Sequence, residues 1–190
     1  FENIYNKKVY TQLGKSVADF IDEDDCVLEC ACGTGAISVD IANRCRSLIA
    51  TDYADGMLAR AKKKLACYGN VKIEKADITN LKYADNSFDK VVAGNVIHLL
   101  PNPEKALKEL ERVCKPGGML IIPTYINNSA NSSRAAARFL ELIGANFNRQ
   151  FDRKTYSDFF AAMGYDNVKY SIVDGWMPCD IALIDNIKND

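Results

Sequence analysis

Residues 27–35, Val-Leu-Glu-Cys-Ala-Cys-Gly-Thr-Gly, constrain the fold of this chain more than any other stretch. A short apolar run ends in the acidic Glu29, then passes through small residues into a helix-like segment, 36–45. The order is strand, tight loop and helix start, the form that a nucleotide-type ligand needs. Gly33 and Gly35 let backbone approach a ligand closely and adopt dihedrals that a side chain forbids. A glycine-rich turn is weak evidence by itself. The dinucleotide fingerprint G-x-G-x-x-G carries its third glycine on the helix, whereas the pattern here is A-x-G-x-G, with Ser38 where that third glycine would follow. Ala31 adds one methyl group, acceptable in such a turn if its φ is negative.

At 190 residues the chain reads as one domain, 1–190, large enough for a substantial core. Its 24 basic and 25 acidic residues leave a net charge of −1, which argues against a nucleic-acid partner. No apolar run approaches the ~18 residues of a membrane span, so integral membrane association is not expected. The start at Phe1, without a signal-peptide layout, predicts that a short leader has been lost. Seven cysteines with no CxxC pair fit a reducing, cytoplasmic setting. Cys26, Cys30 and Cys32 would share one face of an extended strand, but about 3.3 Å per residue separates the first two by too much for one tetrahedral ion. No metal site is expected.

Apolar spacing predicts a first helix over 6–21, through Val9, Leu13, Val17 and Phe20. The acidic run 22–25 reads as a solvated turn. Strand 26–30 is apolar on both faces, as a central parallel strand should be. A second strand, 47–52, ends in Asp52, whose carboxylate can accept hydrogen bonds from both ribose hydroxyls of an adenosine; a turn or cap acid is the alternative. A helix over 55–67 follows, with Leu58, Ala61 and Leu65 inward. Strand 71–75 leads to Asp77 and Ile78, with Asp77 placed to cap the turn toward Leu81. Strand 88–94 precedes Asn95 and the chain's single histidine, His98. Asn102 caps and Pro103 opens a helix that stops at Lys-Pro-Gly-Gly, 115–118, before strand 119–123. Further on, helices are expected around 135–143 and 155–163, with Gly164 as the stop of the latter, and two strands at 167–173 and 179–187.

The acidic-x-A-x-G-x-G loop, the Asp-Asn-Ser-Phe-Asp lead into strand 88–94, the Leu-Lys-Glu-Leu-Glu-Arg-Val helix and the Lys-Pro-Gly-Gly turn stand in order over residues 27–124. Together they resemble class I S-adenosylmethionine (SAM)-dependent methyltransferases of the small-molecule type. That resemblance implies a doubly wound three-layer α/β/α domain with a seven-stranded, mostly parallel sheet of order 3-2-1-4-5-7-6, closed by an antiparallel hairpin. It implies SAM as cofactor, S-adenosylhomocysteine as product and a small-molecule acceptor. The cofactor-binding set it implies is Tyr5, Glu29, Ala31, Cys32, Gly33, Thr34, Gly35, Asp52, Tyr53, Met57, Asp77, Ile78 and Asn95. Glu29 serves the methionine ammonium, directly or through water, and Met57 packs on adenine. Tyr5 reaches the methionine carboxylate or is simply a packing tyrosine. His98 is either a base or a packed histidine, and no catalytic residue is assigned. Segment 125–156, with Tyr125, Phe139, Phe147 and Phe151, is expected to cover the acceptor, with Trp176 contributing to the same wall. A SAM-binding module without turnover and an NAD-dependent oxidoreductase are the alternatives.

Overall fold

The computed structural model describes residues 4–126, 150–174 and 178–187, and side chains from residue 11 onward within those limits. Five α-helices and seven strands are described: α1 (Ile4–Ala18), β1 (Cys26–Cys30), α2 (Ser38–Ala42), β2 (Ser47–Asp52), α3 (Asp55–Lys64), β3 (Val71–Lys75), β4 (Phe88–Ala93), α4 (Pro103–Val113), β5 (Cys114–Tyr125), α5 (Arg153–Ala162), β6 (Lys169–Val173) and β7 (Cys179–Asp185). A short 3-10 turn, Ile97–Leu99, follows β4.

The strands form one sheet in the order β3-β2-β1-β4-β5-β7-β6. Pairings from β3 to β5 are parallel, and β7 runs antiparallel to both β5 and β6. This is the expected order and closing hairpin. Because side chains alternate across a strand, β1 feeds both faces: Leu28 and Cys30 enter the layer with α4 and α5, and Val27 the layer with α1, α2 and α3. The order reverses between β1 and β4, so their carboxyl ends open a crevice where ligands of open α/β sheets bind.

Local chemistry explains the element limits. Asn102 accepts the Lys105 N–H at 3.1 Å and Pro103 opens α4, whose Ala106, Leu107, Leu110 and Val113 are buried. Each large apolar side chain so buried contributes about 1.5–3 kcal/mol. Asp152 and Thr155 form a reciprocal capping box on α5, and Gly164, at φ +86, ends its following turn.

Several limits differ from the expected ones. Helix α2 is five residues rather than the ten of 36–45, because the glycine loop keeps turning through residue 37. Helix α4 ends at Val113, and Lys-Pro-Gly-Gly lies within β5 as an irregularity opposite Asp89. There a Cβ on Gly118 would come 2.6 Å from the Asp89 carbonyl oxygen, so only glycine fits. Cys30 and Cys32 lie on opposite faces, since Ala31 leaves the strand before Cys32. No helix among the described residues is long and apolar enough to cross a membrane.

Candidate functional site

At the carboxyl end of β1 the chain turns through three left-handed residues: Ala31 at φ +56, Gly33 at +57 and Gly35 at +79. The negative φ expected for Ala31 is therefore not what the loop adopts. Its methyl group is held where an L-residue pays about 1–2 kcal/mol. The Cys32 N–H donates to the Thr51 carbonyl at 2.8 Å, and the Gly35 N–H donates to the Cys32 carbonyl at 2.9 Å. A Cβ on Gly35 would press on Leu65 at 3.2 Å, whereas one on Gly33 would meet nothing within 4 Å. Gly33 thus faces open space, as backbone presented to a ligand must.

Asp52, the last residue of β2, holds this loop. Its Oδ2 accepts the Gly33 N–H at 2.8 Å and its Oδ1 accepts the Ala54 N–H at 2.9 Å. The turn role and the ligand role are compatible, because each carboxylate oxygen accepts two hydrogen bonds. Tyr53 and Met57 beside it are 72% and 38% exposed, an apolar wall left uncovered by the protein itself. Lys75 Nζ lies 5.6 Å from the Tyr53 ring centroid. Gly56 also opens onto empty space.

Glu29 faces the opposite side of β1 from Leu28 and is 2% exposed. Its Oε2 accepts the Ser38 hydroxyl at 2.5 Å. Burial, with Asp52 nearby, pushes its carboxyl up to about 7 despite that bond. Ser38 was not expected in the site; its place on the first turn after a glycine loop is the signal that would have found it.

Asp77 Oδ1 accepts from the Thr79 N–H and hydroxyl, both at 2.8 Å, which lowers its pKa and fixes the turn that buries Ile78. That connection is clamped from behind. Arg112 donates to the Leu81 and Tyr83 carbonyls at 2.9 and 2.8 Å, and Glu109 accepts the Leu81 N–H at 2.7 Å.

Asn95 follows β4 at φ +53. Its N–H donates to the Pro123 carbonyl at 2.8 Å and its Oδ1 accepts the Tyr125 N–H at 3.0 Å, so it ties the ends of β4 and β5. His98 is 4% exposed, and burial pushes its pKa down to about 4, leaving it neutral near pH 7. Cys30 is pushed up to about 12 by burial and is a poor nucleophile.

The structure therefore brings Ala31 through Gly35, Asp52, Tyr53, Met57, Asp77, Ile78 and Asn95 to the carboxyl edge of the sheet, with Glu29 buried behind it. Tyr5 lies in α1, and its side chain is outside the described residues, as are Phe139, Phe147 and Trp176. Of the expected acceptor cover, Phe151 and Tyr156 are core residues, their ring centroids 5.2 Å apart, and Tyr125 is half-buried at the end of β5.

Comparison with known proteins agrees with this geometry. Residues 28–122 match the family described as a methyltransferase domain. A demethylmenaquinone methyltransferase of Clavibacter sepedonicus is 38% identical over 96 residues, 50% of this chain and 39% of that protein. A ubiquinone/menaquinone biosynthesis C-methyltransferase of Bdellovibrio bacteriovorus is 39% identical over 123 residues, 63% of this chain and 50% of that protein. The chain thus spans half or less of the length of these relatives. Among solved structures, a SAM-dependent methyltransferase from Aquifex aeolicus superposes with a TM-score of 0.71 at 19% identity, covering 94% of this chain and 93% of that one. The cyclase SpnF superposes with a TM-score of 0.75 at 18% identity, covering 94% and 82%. The chain belongs to the methyltransferase domain family.

Proposed function

We propose that this protein transfers the methyl group of SAM to a small-molecule acceptor and releases S-adenosylhomocysteine. The observation that carries the reading is the Gly33–Asp52 hydrogen bond, which sets the backbone of the glycine loop and a carboxylate side by side at the carboxyl edge of the sheet, with open space at Gly33. In this reading Asp52 holds the ribose hydroxyls through its remaining lone pairs, and Asp77 takes the adenine amine. Ile78, Met57 and Tyr53 give the base its apolar contacts. Glu29, buried behind the loop, is the counter-charge for the methionine ammonium, and Tyr5 is assigned to the methionine carboxylate.

When bound, SAM supplies an electrophilic methyl on a positively charged sulfur. The chain's task is to hold an acceptor in line with that carbon and to exclude water. Such alignment accounts for about 7–11 kcal/mol of barrier lowering in favourable cases. No protein nucleophile is required. His98 is not assigned as a base: it is buried, and a pKa pushed down to about 4 makes it a weak proton acceptor near pH 7.

The relatives named for quinone biosynthesis support a ring-bearing small molecule as acceptor over a nucleic acid. The domain proposed is the single unit 1–190, with acceptor recognition in 125–156 and the closing hairpin, in a reducing cytoplasm that keeps its thiols free. The left-handed Ala31 favours one second reading, a SAM-binding module without turnover. Release of S-adenosylhomocysteine during incubation with SAM and pooled small-molecule acceptors separates the two: product above the acceptor-free background supports transfer, and tight SAM binding without product supports the module.

A further inference from the structure

Strand β7 carries an acidic residue inside an otherwise apolar run, Cys-Asp-Ile-Ala-Leu-Ile. Asp180 is 0% exposed, and neither carboxylate oxygen has a hydrogen-bond partner among the described residues. Directly across the antiparallel ladder stands Thr124, also 0% exposed, whose Oγ1 makes no well-aligned hydrogen bond and has the Tyr156 hydroxyl as its polar neighbour. Strand alternation puts both side chains on the face of Ile122 and Ala182, under α5. There the Tyr156 hydroxyl is already committed to the Ile122 carbonyl at 2.6 Å. Arg153 Nε stands 3.4 Å from Asp180 Oδ2, with its own side chain 62% exposed. A buried carboxylate with unused acceptor sites costs stability unless something donates to it, and burial raises the Asp180 pKa in spite of Arg153.

The location points to a use. Thr124 is the penultimate residue of β5 and Asp180 the second of β7, so both lie at the edge where the glycine loop ends. Asn95 binds β4 to this spot through Tyr125. The pair thus lies at the edge of the sheet where ligands of open α/β folds bind, with Asp180 ion-paired to the exposed Arg153. Phe151 and Tyr156 are buried in the same layer of the core, the one with α5.

Resting on the reading of this site as a SAM-dependent methyltransferase, we propose that Asp180, with Thr124, receives a hydroxyl group of the methyl acceptor and thereby selects hydroxylated acceptors. The carboxylate takes the hydroxyl hydrogen and Thr124 Oγ1 serves the hydroxyl oxygen. An acceptor lacking that group leaves the buried carboxylate without its donor and the Thr124 hydroxyl without its acceptor, which discriminates strongly against it.

The test uses the protein saturated with S-adenosylhomocysteine and two probes that differ at one group, 2-naphthol and 2-methylnaphthalene. Wild type is expected to prefer the naphthol by at least about tenfold. Asp180→Leu keeps the branched shape while removing both acceptor oxygens, so the preference should fall to about one, with the melting temperature unchanged or raised. A purely structural carboxylate would not move that ratio. Thr124→Val should lower the same ratio, and it decides the matter alongside wild type if Asp180→Leu does not fold. No naphthol binding, equal binding of the two probes to wild type, or a preference surviving in folded Asp180→Leu or Thr124→Val overturns the assignment. Failure of wild type to bind S-adenosylhomocysteine at all tells instead against the methyltransferase reading.

Discussion

Asp52 at the end of β2 accepts the backbone N–H of Gly33 in the neighbouring loop at 2.8 Å. One carboxylate therefore shapes the glycine loop and, in the proposed cofactor site, also takes the ribose. Asp52→Ala is expected to weaken SAM and S-adenosylhomocysteine binding by ~1–3 kcal/mol. Asp52→Asn should recover part of this, because its carbonyl can still accept from Gly33. Calorimetry on folded variants measures both, and unchanged affinity in Asp52→Ala would remove Asp52 from the site.

Ala31 sits at φ +56, a conformation glycine adopts without penalty. Ala31→Gly relieves about 1–2 kcal/mol of strain and gives back about 0.5–1 kcal/mol as extra freedom of the unfolded chain. A net gain of about 0.5–1 kcal/mol should appear as a higher denaturation midpoint. A lower midpoint would show that the methyl group packs usefully in spite of its backbone.

The Glu29 carboxyl is raised from 4.5 to about 7. Between those values the folded protein keeps a proton that the unfolded chain has released, so stability of the ligand-free protein falls as pH rises. The total is about 3 kcal/mol, complete once the pH passes 7. Glu29→Gln retains an oxygen for the Ser38 hydroxyl and should flatten this slope between pH 4.5 and 7. Parallel slopes for wild type and variant in urea melts across that window would contradict the burial argument.

Arg112 joins α4 to the Leu81 and Tyr83 carbonyls and to Asp85, behind the connection that presents Asp77 and Ile78. Arg112→Ala should cost about 1–3 kcal/mol of stability and weaken SAM binding as a secondary effect. Arg112→Lys should rescue little, since an ammonium cannot span the same acceptors. Full rescue by lysine would reduce the clamp to simple charge.

The order of elements was legible because each strand is a short apolar run bounded by turn residues, and the ligand edge because Asp52, Asp77 and Asn95 each end or follow one. The left-handed Ala31 was not legible, since alanine usually reports φ below zero and the loop overrides it through Cys32 and Asp52. His98 offered two roles from sequence, a base or a packed histidine, and its burial, visible only in the fold, favours the second. The opposite facing of Cys30 and Cys32 depends on the same Ala31 turn. Asp180 carried a signal, a charge within a buried strand, but its meaning needed Thr124 to be found directly across the ladder.

The most direct measurement is titration of the protein with SAM, S-adenosylhomocysteine and NAD in metal-free buffer, wild type beside Asp52→Ala. The account predicts one site per chain for both sulfur ligands, clear weakening of both in the variant, and no NAD binding at comparable concentrations. Binding of NAD without SAM, or SAM affinity indifferent to Asp52, would contradict it.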